Sequence, residues 1–249
     1  MVVSERSTYC HNCDTPATGN YCSSCGQRTT IHKVTFRDTF QDFWDFIFSV
    51  NAPFFKTIKW LIINPGKLLR EYLAGKRKSY YKPVAFFLVM TVVYLLFRSL
   101  IGYDPFGNTT LNVTDETQRQ LLTEARNFML LNIDKLLFVF VFTMGFFLKL
   151  FFYKKRSLAE FLAVSFYLIA VYTIITTLNM FFIQYVDSQV QYLAILVMLI
   201  YFCYALISFF QKQKILVLLK AIIVYFISFI SYGLLAFAIS FLFVYLKQL

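Results

Sequence analysis

Apolar residues follow three regimes along the chain. Over residues 1–34 they are sparse and without period, from 35 to 82 they recur at helical spacing, and from 84 onward they run almost unbroken. In the middle regime Thr35-Phe36-Arg37-Asp38 resembles a capping box, and Phe36, Phe40, Phe43, Trp44, Ile47 and Phe48 form one stripe. Asp38, Gln41, Asp42 and Asp45 fall opposite. Pro53 opens a second short helix, Phe54 to Ile63. A third has Asn64 as N-cap, Pro65 at its first position and Gly75 just past its end. Its stripe is Leu68, Leu69, Tyr72 and Leu73, and Lys67, Arg70 and Glu71 are read as turned away. The second and third are too short to span a bilayer and fit a headgroup-level location. The first either lies in the interface or, because its polar face is acidic, packs on the basic segment that follows or on loops of the span bundle.

The apolar runs predict five membrane spans, at about 84–102, 134–153, 161–183, 190–210 and 221–246. The intervening segment 103–133 is the one sizeable loop between them; residues 115–131 should form a helix leading into the second span. The fold class expected is an all-α polytopic membrane protein with a small N-terminal knuckle and amphipathic interfacial helices. Its divisions are residues 1–34, 35–82 and 83–249. Composition agrees: 59% of residues are hydrophobic, 20% are aromatic, and the mean hydropathy is +0.61.

The net charge of +11 could indicate nucleic acid, but the cations are distributed as membrane orientation requires. They crowd the chain before the first span, above all at Lys76, Arg77, Lys78 and Lys82. They return in alternate loops, at Lys154, Lys155 and Arg156 and at Lys212, Lys214 and Lys220. The loop at 184–189 has none, and the loop after the first span is acidic. This places the N-terminus inside and the C-terminus outside, with the basic anchor facing anionic headgroups or a partner.

The first regime holds Cys10-His11-Asn12-Cys13 and, after eight residues, Cys22-Ser23-Ser24-Cys25-Gly26. Each C-x-x-C turn presents two thiolates to one tetrahedral ion, so Cys10, Cys13, Cys22 and Cys25 are the candidate ligands of a structural Zn2+. Some thirty residues cannot build a core, and metal would supply their folding energy. Rubredoxin-like iron and a redox dithiol pair are the alternatives. Four cysteines close the coordination shell against catalysis, and reduced thiols favour a cytoplasmic head.

The knuckles, followed by Asn64-Pro65-Gly66, Glu71-Tyr72 and Gly75-Lys76-Arg77-Lys78-Ser79-Tyr80-Tyr81-Lys82-Pro83, resemble a bacterial membrane family of unknown function, domain of unknown function 3667. The resemblance covers residues 10 to about 90. It implies an integral inner-membrane protein with a cytoplasmic zinc-ribbon-like head, and brings no catalytic residues with it.

No aspartate, glutamate or histidine falls in the interior of a predicted span, Asp134 standing at the very edge of the second, and no proline interrupts one. Aspartyl or zinc intramembrane proteolysis, carboxylate proton relays and broken-helix transport therefore lack their residues. Two readings are open. One is a non-enzymatic membrane-anchored interaction, scaffold or regulatory protein that binds a cytosolic protein or lipid headgroups. The other is an oligomeric small-solute or lipid transporter or channel, with Thr173, Thr176, Thr177 and Asn179 lining its path. Arg98, Lys149 and Lys220 lie near span ends and should snorkel; Arg98, on the side poor in cations, is the one that should have a specific partner.

Overall fold

The computed structural model describes residues 5–6, 9–10, 15–16, 19–24, 30–31, 53–76, 79–103, 116–186, 190 and 192–248. The predicted helix over 36–48, Cys13, Cys25, Arg77, Lys78 and most of the segment 103–115 lie outside these residues. The chain forms two units, Met1–Asn51 and Ala52–Leu249.

In the first unit, strands β1 (Glu5–Arg6) and β2 (Thr30–Ile31) pair antiparallel, with Glu5 opposite Ile31 and Arg6 opposite Thr30. This short ladder brings together the two ends of the segment that carries the cysteines. Within it, Tyr9 bridges Pro16 and the Cys10 amide donates to the Thr15 carbonyl at 2.9 Å.

The second unit is all helical: α1 (Pro53–Ile63), α2 (Pro65–Leu73), α3 (Pro83–Ile101), α4 (Glu116–Leu131), α5 (Ile133–Phe151), α6 (Leu158–Tyr185), α7 (Leu193–Phe210) and α8 (Lys214–Gln248). Prolines start α1, α2 and α3, where the missing N–H costs nothing. α6 starts with a full capping box. The Glu160 amide donates to Ser157 Oγ at 3.2 Å, and the Ser157 amide donates to Glu160 Oε2 at 2.8 Å. α2 stops in a Schellman turn: the Gly75 amide donates to Tyr72 O at 3.1 Å and the Lys76 amide to Glu71 O at 3.0 Å. Gly75 has φ +107°, which a side chain would resist.

Helices α3, α6, α7 and α8 are each long and apolar enough to cross a bilayer. α5 carries charges near both ends and qualifies together with the last turns of α4, from which it bends by 83°. The chain is therefore a multi-pass membrane protein, with four or five candidate spans among the described residues. At the bend, Asn132 Nδ2 donates to Phe128 O at 2.9 Å, and Lys135 Nζ donates to Asn132 Oδ1 at 2.9 Å. α8 has 35 residues. At 1.5 Å per residue it is about 52 Å long, well beyond a hydrocarbon core of about 30 Å.

The core of the bundle is aromatic and continuous. α3 and α5 pack on α6, α5 and α7 on α8, and α4 on α8 through Phe128 stacked on Phe243 at 4.5 Å. Phe86, Phe140, Tyr167, Phe202 and Tyr225 are fully buried. α5 and α6 approach closely at Gly145, where an added Cβ would lie 2.7 Å from Leu162 Cδ2. On α8, Ala236 and Ser240 are buried, whereas Gly233 faces open space.

Among the described residues of Ala52–Leu249, most cations gather at one end of this bundle. Phe152, after α5, stacks on Phe210 at the end of α7 with centroids 4.4 Å apart, bringing the 152–157 and 211–213 loops together. α2 is tied to the same end of α7 by Arg70. There, cations reach backbone carbonyls at the end of α5 and in the loop that follows it. Lys149 Nζ donates to Tyr153 O at 2.7 Å and Arg156 O at 2.9 Å, and Lys220 Nζ donates to Phe151 O at 3.0 Å. Both lysines thus reach toward the end of α5 and its loop, where their ammoniums bind backbone carbonyls. At the opposite end Arg98 has the partner expected of it: Nη1 donates to Leu130 O at 2.9 Å and Nε to Tyr103 O at 3.3 Å. It thereby holds α3 to the α4–α5 corner.

Candidate functional site

The motif-bearing residues 53–83 fold into an elbow, α1 and α2 followed by the link to α3, that lies against the cation-rich end of the bundle. Its corner is Asn64-Pro65-Gly66. The Asn64 side chain caps α2, its Oδ1 accepting from the Lys67 amide at 3.0 Å, and the same oxygen accepts from Ser208 Oγ of α7 at 2.9 Å. Gly66 lies directly on the backbone of α7, where a Cβ would overlap the Ser208 carbonyl and the Phe209 nitrogen. That contact is with main chain, which cannot swing aside.

Arg70 completes the attachment. Its Nη1 donates to the Ser208 and Phe209 carbonyls, among the last four of α7, where a cation also meets the negative end of the helix dipole. Burial pulls the guanidinium below its ordinary pKa. Further along α7, Tyr204 OH donates to Ile63 O at 2.6 Å and Tyr201 OH to Leu61 O at 3.1 Å. The reading of Arg70 as turned away is therefore corrected. It leaves the apolar stripe of α2, yet the face it occupies meets another helix end rather than water.

The link residue Tyr81 joins three elements. Its amide donates to Thr57 Oγ1 of α1 at 2.9 Å, and its carbonyl accepts from Tyr167 OH of α6. Phe54, Tyr81, Phe86 and Tyr167 pack as a run of tilted and edge-on rings beneath it.

Glu71 organises the outer side of the elbow. Oε2 accepts from Tyr80 OH at 2.7 Å, and Oε1 lies 3.2 Å from Lys76 Nζ. The hydrogen bond from Tyr80, and then that from Lys76, hold the carboxyl below its usual range. Tyr80 is 3% exposed; burial first, and then its bond to Glu71, push its phenol up to about 12. Lys56 Nζ sits 5.3 Å from the Tyr80 ring centroid, and Lys67 Nζ 4.0 Å from that of Trp60.

Of the residues singled out in the sequence, Lys76 is exposed and paired with Glu71, and Lys82 is the exposed, extended N-cap of α3. Cys10 and Cys22, one from each C-x-x-C turn, are 1% and 3% exposed. They are the buried residues among those described in Met1–Asn51, while Tyr9, Pro16, Tyr21, Ser23 and Ser24 are exposed. Two thiols as the buried groups of a small unit fit a metal-centred head. Cys13 and Cys25, which would complete the ligand set, lie outside the described residues.

The hydroxyls read as a candidate path bond within their own helix. Thr173 Oγ1 donates to Ala170 O at 2.8 Å, Thr176 Oγ1 to Tyr172 O at 2.9 Å, and Thr177 Oγ1 to Thr173 O at 2.6 Å. All three turn back onto the α6 backbone. Asn179 is buried.

The α7 residues that receive the elbow, Tyr201, Tyr204 and Ser208, were not singled out in the sequence. Their spacing of three and four residues puts them on one face of an otherwise apolar span, and this polar stripe is the signal that could have found them. Comparison with known proteins finds a family profile described as a protein of unknown function (DUF3667), which matches residues 52–95, the stretch that contains α1, α2, the link and most of α3. No curated protein and no solved structure matches the chain.

Proposed function

We propose that this is a bacterial inner-membrane protein whose span bundle serves as an anchor and whose N-terminal head carries out a non-enzymatic interaction, scaffold or regulatory role. In this reading Cys10, Cys13, Cys22 and Cys25 hold one structural Zn2+ in the cytoplasm. Lys76, Arg77, Lys78 and Lys82 form a basic anchor at the headgroups, and the C-terminus is periplasmic. The partner is a cytosolic protein. The zinc would supply folding energy and no chemistry, since four thiolates leave no open position.

The observation that carries this reading is the hydroxyl set of α6. Thr173, Thr176 and Thr177 each donate to the backbone of their own helix, the ordinary arrangement in an apolar span, so nothing about them calls for a solute. The elbow adds support, because side chain-to-backbone bonds attach it to the bundle at Arg70, Tyr201, Tyr204 and Tyr167.

The test compares two variants of the full chain by crosslinking in cells. Cys22→Ser with Cys25→Ser should lose the crosslinked partner, and Thr176→Leu with Asn179→Leu should keep it. Retention of every partner by the cysteine variant would rule out the head as the binding element. Loss of a solute flux in the α6 variant alone would favour the transport reading.

A further inference from the structure

The outward half of α1 combines greasy and cationic residues. Phe54, Thr57 and Leu61 face the bundle and are buried. Phe55, Ile62 and Ile63 are 65%, 66% and 55% exposed, and Lys56 and Lys59 are exposed between them. α1 holds no carboxylate.

The depth of this surface follows from its attachments. At its start, Phe54 packs on Tyr81 and Phe86, the link and first turn of α3. At its end, the Leu61 and Ile63 carbonyls are bound by Tyr201 and Tyr204. Tyr201 lies nine residues, about 13 Å at 1.5 Å per residue, before the last residue of α7. α1 therefore dips along a span, deepest at Leu61, with Ile62 and Ile63 beside it where the chain turns back and Lys56 toward the shallow end. Apolar residues below and cations above match one kind of molecule, an acyl chain under a negatively charged headgroup.

We infer that α1 is a binding surface for an anionic glycerophospholipid, its acyl chain against Ile62 and Ile63 and its phosphate at Lys56 and Lys59. This rests on the membrane-spanning character of the bundle and is independent of the zinc head, so either can fail alone.

The chain has two tryptophans, and Trp44→Phe leaves Trp60 of α1 as the sole reporter. The full-length variant is reconstituted in vesicles of phosphatidylcholine with a minor share of phosphatidylglycerol, with brominated acyl chains on one lipid or the other. Brominated phosphatidylglycerol should quench Trp60 several-fold more per mole, given a preference of roughly fivefold per lysine. Lys56→Gln with Lys59→Gln should equalise the two lipids while quenching by phosphatidylcholine persists. Equal quenching in the lysine-bearing protein would overturn the headgroup assignment. Absence of quenching by either lipid would show that protein, such as a second copy, covers α1, and would overturn the proposal as a whole.

Discussion

Arg70 of α2 donates its guanidinium to the carbonyl of Ser208, 138 positions later in the chain, and so closes the end of α7. The bond goes to main chain, whereas the neighbouring bond between Ser208 Oγ and Asn64 joins two side chains. Arg70→Leu should therefore lower stability by about 1.5–3 kcal/mol, the usual range for a hydrogen bond to a charged group. In double-mutant cycles read by unfolding in detergent, Ser208→Ala should couple with Asn64→Ala and leave the effect of Arg70→Leu unchanged.

Two glycines of the elbow should fail for different reasons. Gly66→Ala drives a methyl into the α7 backbone and should cost about 1–3 kcal/mol while parting α2 from α7. Gly75→Ala meets nothing in space, and its cost of about 1 kcal/mol comes from a positive φ. Crosslinking between cysteines placed on α2 and α7 should drop for Gly66→Ala and persist for Gly75→Ala.

The Glu71–Tyr80 pair gives the elbow a pH window. Glu71 has a lowered folded pKa, so its contribution is present above its ordinary value near 4.5 and is lost as pH falls through the folded value. Tyr80 is raised from 10.0 to about 12, so its contribution is full below 10 and is lost as pH rises toward 12. Titration of tyrosinate absorbance should show one phenol ionising near 12 that Tyr80→Phe removes, and Glu71→Gln should shift it downward.

Arg98 performs at the opposite end the role that Arg70 performs at the cation-rich one. Arg98→Leu leaves the Leu130 carbonyl at the 83° corner without its donor and should cost about 1–3 kcal/mol. Hydrogen exchange should accelerate around residues 128–134 and stay unchanged around Gly66.

Local chemistry made much of this fold legible. Asn64, Pro65 and Gly75 mark the limits of α2 because capping is read over a few neighbouring residues, and apolar run length marks the spans. Arg98 stood out because a cation near the side poor in cations needs a reason. What escaped depends on distant residues. Arg70 reads as an outward residue until α7 is placed against it, and the carbonyls that Lys149 and Lys220 bind come into view only with the end of α5 and its loop in place. The bend at Asn132 interrupts residues of good helix propensity on both sides, so no breaker announces it. The Ser157–Glu160 capping box was present in the sequence and, once noticed, would have started α6 at Leu158 rather than at 161.

The reading of the head rests on its metal. Elemental analysis of the purified full-length protein measures that directly, with Cys10→Ser as the matched variant. About one zinc per chain, lost in the variant, is the predicted result for a closed four-cysteine site. Zinc-free protein with a folded head, or iron in its place, would contradict the account.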